Sequence, residues 1–220
     1  MSKEMIKRTI TSFLLLSLLI LMHFYAFILI TALIIIGTIC WIEFYAIISK
    51  IIKNENKKNK IIRFNYKAIS LLYLFFLIYY VIVSKLTNPE LELVLIYIVL
   101  ISIMSDIGGL VVGRTFKGWK LTKISPKKTI SGSIGSFIFS LFLIPFFIKF
   151  FVSYEYFLLT LITLFISFVS QLGDLFISFL KRKAKIKDTS DLLPGHGGVL
   201  DRVDGIIFAI PAGLLIFNIL

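Results

Sequence analysis

The chain contains a single cysteine, Cys40, and it sits inside an apolar run. No disulfide framework can form, and a thiol in that setting reads as a small buried hydrophobe rather than a nucleophile. Acidic residues are scarce, 12 against 24 Lys and Arg, which leaves a formal net charge of +12. Such an excess could serve a nucleic-acid partner, but the basic residues come in blocks between apolar runs, an arrangement that belongs to membrane topology. No nucleic acid is therefore expected as a partner. There is no internal repeat, and no stretch is polar enough to form a separate soluble domain. A small-residue cleavage site is also missing. Lys3, Lys7 and Arg8 before residues 10–22 look like the start of a signal peptide, yet the apolar run simply continues and is read as a retained first span.

What the chain has in abundance is apolar surface. Of its 220 residues 58% are hydrophobic, and the mean hydropathy is +0.97. A soluble domain could not hide that much, whereas a bilayer takes it up as solvent-facing area. Lipid offers the backbone no hydrogen-bond partners, so the spans must be helices and the expected class is all-α. A hydrocarbon core of ~30 Å needs ~20 helical residues. Residues 10–48 supply two such helices turning near residues 23–25, where His23 reads as an outer-face turn residue. Spans at 64–84, 93–112, 130–150, 157–180 and 206–220 bring the expectation to seven. Residues 53–60 read as a solvated connector. With the N-terminus inside, the segments 1–9, 49–67, 113–129 and 179–205 hold 22 of the 24 basic residues, only Lys85 and Lys149 falling outside. The positive-inside rule then gives an N-in, C-out topology with the basic loops in the cytoplasm. The expected organisation is one integral membrane domain over 1–220, with N-terminal spans at 10–105 and a catalytic region at 106–211 that carries the basic loops 113–129 and 179–205. Gly109 with Gly113, Ser131 with Gly135, and Gly132 with Ser136 recur at four-residue spacing, which suits close helix packing.

A few charged residues stand out against this background. Asp174 is the only charge in residues 157–180, ~26 Å along the helix from Phe157, which places it near the cytoplasmic boundary. An ionised carboxylate in lipid costs ~2.5–3.5 kcal/mol, so it should face the bundle interior or a wet cavity. A structural pairing with Lys181 or Lys185 is the plainer account. Asp106 lies roughly 11 Å inside the same boundary and is functional by default, unless it merely bonds a serine or Gln171 across the bundle. Asp201 and Asp204, three apart at the start of the last span, share a helix face. Capping would explain one of them, not both together with Arg202 and the glycines beside them. Glu43, near the inner end of the second span, is expected to snorkel or to pair with a loop lysine. Gly195, Gly197 and Gly198 permit positive φ, and exposed amides there would suit either a phosphate or a tight turn.

Residues 178–204 carry Ser178, Lys181-Arg182, Lys187-Asp188, Ser190, Pro194, His196-Gly197-Gly198, Asp201-Arg202 and Asp204 in a gapless series. A second stretch has Asp106-Ile-Gly-Gly109, Gly113-Arg114, Lys120-Leu121 and Ser125-Pro-Lys-Lys-Thr129 with Gly132, and the first half adds Trp41-Ile-Glu43. Together these resemble the phosphatidate cytidylyltransferase (CDP-diglyceride synthase) family. The resemblance implies a metal-dependent nucleotidyl transfer in phospholipid biosynthesis: CTP and phosphatidic acid give CDP-diacylglycerol and pyrophosphate, at the cytoplasmic face of the cell's inner membrane. It implies Asp174 and Asp201 as principal metal ligands and Asp204 as a second-site or outer ligand. Mg²⁺ is the expected ion, with room for a second metal or a monovalent cation. Lys127, taken as catalytic, and Lys128 are assigned to the triphosphate or to phosphatidate. Asp106, Arg114, Lys123, Lys181, Arg182, Lys187, Asp188, His196, Gly197, Gly198 and Arg202 are assigned to substrate binding. A homodimer is the expected assembly if there is one. Two alternatives stay open. One is another CTP-using membrane enzyme, either a lipid cytidylyltransferase or a polyprenol kinase. The other is a small transporter in which Asp106 and Asp174 relay ions, although the symmetric halves common in transporters are not found.

Overall fold

The computed structural model describes residues 3–53, 56–87, 89–122, 124–151, 154–194 and 197–219, with no account of the side chains of residues 3–8, 12, 218 and 219. Eight helices are formed among the described residues: α1 (Lys3–Phe24), α2 (Ala26–Ile51), α3 (Lys57–Thr87), α4 (Pro89–Phe116), α5 (Ile130–Leu141), α6 (Ile144–Phe147), α7 (Tyr156–Lys183) and α8 (Leu200–Ile219). Five segments are long and apolar enough to cross a membrane: α2, α3, α4, the α5–α6 segment and α7. On α3 only 6% of the most apolar stretch is buried within the chain, and Phe64, Ile69, Phe75 and Phe76 all point outward. Apolar surface on that scale needs lipid as its solvent, and the chain is a multi-pass membrane protein.

The helices follow the apolar runs but extend past them. α3 begins at Lys57 rather than Phe64, so half of the stretch expected as a connector is helical. Lysine is a good helix former, and a charged turn can stay helical once it leaves lipid. The turn expected at residues 23–25 is a break at one residue. Tyr25 is extended (φ −121°, ψ 106°), while Tyr25 N–H still bonds Leu21 O and Leu29 N–H still bonds Tyr25 O. The span expected at 130–150 is interrupted at Phe142 and Leu143, because Pro145 at the start of α6 has no N–H to continue the ladder.

The chain divides into two compact units, one comprising Met1–Pro89 with Leu180–Val203 and the other Glu90–Phe179 with Asp204–Leu220. In the first, α1 packs on α2 and α2 on α3. Trp41 Nε1 donates to Lys67 O at 3.0 Å, and the Lys67 ammonium lies 4.9 Å from the Trp41 and Tyr45 rings. In the second unit Tyr97 is fully buried, its hydroxyl 2.6 Å from Thr163 Oγ1 and its ring among Phe147, Phe151 and Phe217. A seam of serines joins its helices: Ser136 donates to Ser105 O, Ser140 to Ser167, and Ser167 to Ser105. These bonds supply the polar attachment that helices in lipid use in place of a hydrophobic driving force.

The small residues of α4 and α5 meet backbone to backbone. A Cβ at Gly132 would stand 2.8 Å from Gly109 O and 3.4 Å from Gly113 Cα. Gly132→Leu is therefore expected to force α4 and α5 apart and cost about 1–3 kcal/mol. A lowered midpoint for thermal unfolding in detergent checks this, with the outward-facing Ile134→Ala of the same helix as the control.

Candidate functional site

In the second unit the segment between α4 and α5 folds back on itself. Lys128 N–H bonds Ser125 O at 3.0 Å, closing a turn with Pro126 at its first central position, where a fixed φ is favourable. Leu121 N–H bonds Lys128 O at 2.8 Å, and Ile130 N–H bonds Trp119 O at 3.0 Å. Thr129 then caps α5, its hydroxyl accepting from Gly132 N–H at 3.1 Å. This turn separates the two lysines. Lys127 is exposed at its tip, while Lys128 reaches Asp174 on α7 and forms an ion pair with Oδ2. Ser178, one turn later, lies 3.4 Å from Asp174 Oδ1. The cation on Asp174 is thus Lys128, not Lys181 or Lys185. Gly173 leaves room for the close approach of α8, since a Cβ there would lie 2.8 Å from Asp204 O. Asp204 is 6% exposed, and its Oδ1 accepts from Gly205 N–H at 2.9 Å. Asp106 and Arg114 are both exposed on α4. Gln171 accepts a hydrogen bond from Ser133 at 2.5 Å. Lys123 lies outside the described residues.

The first unit holds a second lysine–carboxylate pair. Lys181 Nζ stands 2.5 Å from Asp201 Oδ1, and the aspartate side chain is 5% exposed. Asp201 Oδ2 accepts from Thr189 N–H at 2.8 Å and Gly198 N–H at 3.1 Å, with Thr189 Oγ1 at 3.0 Å. Burial pushes this carboxyl up, but Lys181 and the two amides outweigh it, holding Asp201 below the ordinary value of 3.8.

Beside it lies a residue whose setting the sequence did not reveal. Glu43 on α2 is 3% exposed, so it does not snorkel, and its bonds among the described residues are to hydroxyls and amides rather than to a loop lysine. It accepts from Thr189 Oγ1 at 2.8 Å, Ser190 Oγ at 2.5 Å, Val199 N–H at 3.1 Å and Leu200 N–H at 2.8 Å.

The glycines of this turn serve two needs. Gly197 takes φ +83° and exchanges backbone bonds with Leu193 at 2.9 and 3.1 Å. Gly198 has no room for a side chain, since a Cβ there would come within 2.7 Å of Glu43 Oε2 and would also strike the Thr189 hydroxyl. Their amides are engaged by Leu193 O and Asp201 rather than left open. Gly198→Ala is expected to lower activity by about tenfold through about 1–3 kcal/mol of overpacking, measured against the exposed Leu192→Ala in the same membranes. Arg182, Lys187, Asp188 and Arg202 are exposed, and His196 lies outside the described residues.

Among the described residues no group of three or more His, Cys, Asp or Glu side chains is close enough to hold a metal ion. Two of the three aspartates assigned as ligands, Asp174 and Asp201, each hold a lysine ammonium.

The chain is similar to known proteins over much of its length. The model of the Cytidylyltransferase family matches residues 1–220. A phosphatidate cytidylyltransferase of Staphylococcus haemolyticus (strain JCSC1435) is 42% identical over 120 residues, covering 53% of this chain and 46% of its own. One of Rickettsia prowazekii (strain Madrid E) is 39% identical over 142 residues, 60% of each chain. One of Bacillus subtilis (strain 168) is 43% identical over 109 residues, covering 49% of this chain and 40% of its own. The matches thus span about half the length of these relatives. With a family model that runs from the first residue to the last, this chain belongs to the cytidylyltransferase family.

Proposed function

We propose that this protein is a phosphatidate cytidylyltransferase, joining CTP to phosphatidic acid to give CDP-diacylglycerol and pyrophosphate at the cytoplasmic face of the cell membrane. The observation that carries the reading is that two signature aspartates each hold a lysine: Asp174 holds Lys128 from the loop before α5, and Asp201 holds Lys181 from the last turn of α7. Both reactants are anions, so the barrier is one of charge and alignment, and fixed cations address it directly. Lys128 and Lys181 are already aimed by their carboxylates, so an arriving phosphate finds ammonium groups whose direction is set. Exposed Lys127, Arg182, Lys187, Arg202 and Arg114 draw anionic headgroups and nucleotide toward the membrane surface. Phosphatidate is ionised near neutral pH, so no general base is required.

The donor chemistry fits a hard divalent cation. Asp174 and Asp201 offer carboxylate oxygens only, and Mg²⁺ is held by one or two carboxylates with the remaining positions left to phosphates and water. Asp204, buried against its own helix, would act from the outer shell, and a second metal or monovalent cation would complete the set. When bound, the ion supplies charge neutralisation on the triphosphate. The loop 113–129 and the segment 179–205 hold 12 of the 24 basic residues, which supports the N-in, C-out arrangement of seven spans, α1 and α8 included. A homodimer is the proposed assembly.

The test is the reaction in nanodiscs with CTP labelled at the α-phosphate, phosphatidate and Mg²⁺. Label in the lipid product, with one pyrophosphate released per product, is expected. A lipid product gaining a single γ-phosphate would instead show a kinase, and no transfer by folded protein would overturn the reading.

A further inference from the structure

α8 begins without a cap of its own. The residues before it are Gly197, Gly198 and Val199, none with a side-chain acceptor, yet the first amides of a helix need acceptors. Two carboxylates take the amide of Leu200, the first residue of α8, and those of the chain leading into it. Asp201 takes the amides of Thr189 and Gly198, and Glu43 takes those of Val199 and Leu200. Between the two acids stands one hydroxyl. Thr189 Oγ1 is 2.8 Å from Glu43 Oε2 and 3.0 Å from Asp201 Oδ2, but it has a single proton to donate.

We propose that Glu43 is the positioning residue for Asp201, accepting the Thr189 and Ser190 hydroxyls and the Val199 and Leu200 amides so that the aspartate meets its cation through Oδ1 alone. The inference rests on the functional reading of Asp201 given above. With Glu43 in place, Oδ2 is fixed by two N–H groups, and Oδ1 is left to face Lys181. Without Glu43, the Val199 and Leu200 amides and two hydroxyls lose their acceptor, and Asp201 becomes the nearest substitute. The aspartate is then drawn toward the turn and away from the cation. Glutamine cannot replace Glu43, because its amide would present N–H groups to donors; aspartate keeps the chemistry on a shorter arm.

The experiment pairs two readouts on the full chain in nanodiscs: turnover of CTP with phosphatidate, and amide hydrogen exchange, which needs no activity. Glu43→Gln is expected to lower kcat about 100-fold with KM for CTP changed less than about twofold, the pattern of misalignment rather than lost binding. The Val199 and Leu200 amides should exchange about tenfold faster while α3 is unchanged. Glu43→Asp should recover part of both effects, and it takes the place of Glu43→Gln if that variant does not accumulate. Unchanged exchange would overturn the capping role. Faster exchange with wild-type kcat would overturn the positioning role. An active Asp201→Asn would remove the reading on which the inference rests, whereas an inactive Asp201→Asn beside a normal Glu43→Gln would sink Glu43 alone. If wild-type protein transferred nothing to phosphatidate, the substrate would be wrong, and exchange would still decide whether Glu43 holds the turn.

Discussion

Asp174→Asn is expected to reduce turnover by about 10²–10³-fold or more while leaving membrane insertion intact. The substitution keeps the shape of the side chain and an acceptor toward Ser178, but it removes the charge that Lys128 faces. Insertion should not suffer, since removing the one acidic residue of α7 makes the helix cheaper to place in lipid. A structural ion pair makes a different prediction. If Asp174 served only to neutralise Lys128, then Asp174→Asn combined with Lys128→Met would recover activity, because no charge would be left unpaired. No recovery is expected here, since each partner is assigned to the reaction itself. Lys128→Met alone should act mainly on KM for CTP. Rates across a Mg²⁺ series, on protein whose membrane yield is verified, separate these outcomes.

Asp201→Asn should be as damaging, for a different mix of reasons. Asp201 accepts donors on both oxygens, with Lys181 on one and two amides on the other. Asparagine can serve one of those sets, and its NH2 group must then meet the other donor-to-donor. If the amides keep the oxygen, Lys181 loses its counter-charge. If Lys181 keeps it, the turn before α8 loses its anchor. Either way a loss of about 10²–10³-fold is expected. Asp204→Asn should cost less than either, about tenfold, because Asp204 is assigned to the outer shell and asparagine keeps an acceptor for Gly205 N–H. Measuring the three variants side by side tests the ranking as well as the magnitude.

Much of the architecture is legible in the sequence because lipid imposes it. Long apolar runs between basic blocks leave few alternatives to helices, and each expected span corresponds to helix in the structure. What misled was local. Pro145 sits in a run whose hydropathy gives no hint of a break, and Lys57 to Arg63 look like loop by charge but are helical. Asp174 was visible for an energetic reason, as the single charge in the apolar run 157–180. Its partner was not, because Lys128 lies 46 residues away and nothing local links the two.

Glu43 illustrates the limit further. It is separated from Leu200 by 157 positions, and its neighbours on α2 are apolar, so snorkelling was the natural expectation. The usable signal lay elsewhere. A helix starting after Gly-Gly-Val has no cap, and Thr189 and Ser190 are hydroxyls in need of an acceptor. An acid near the inner end of another span was the available answer. The glycines misled in a related way. Their amides suggested a phosphate cradle, but in the structure the two described glycines donate within the protein, to Leu193 O and Asp201, which leaves lysine and arginine side chains to meet the substrates.

The most direct test of the account is transfer of label from the α-phosphate of CTP to phosphatidate by wild-type, Asp174→Asn and Asp201→Asn proteins in nanodiscs containing Mg²⁺. The account predicts labelled CDP-diacylglycerol from the wild type alone, with both variants at background although folded and inserted. Near-normal transfer by either variant across the Mg²⁺ series would contradict it.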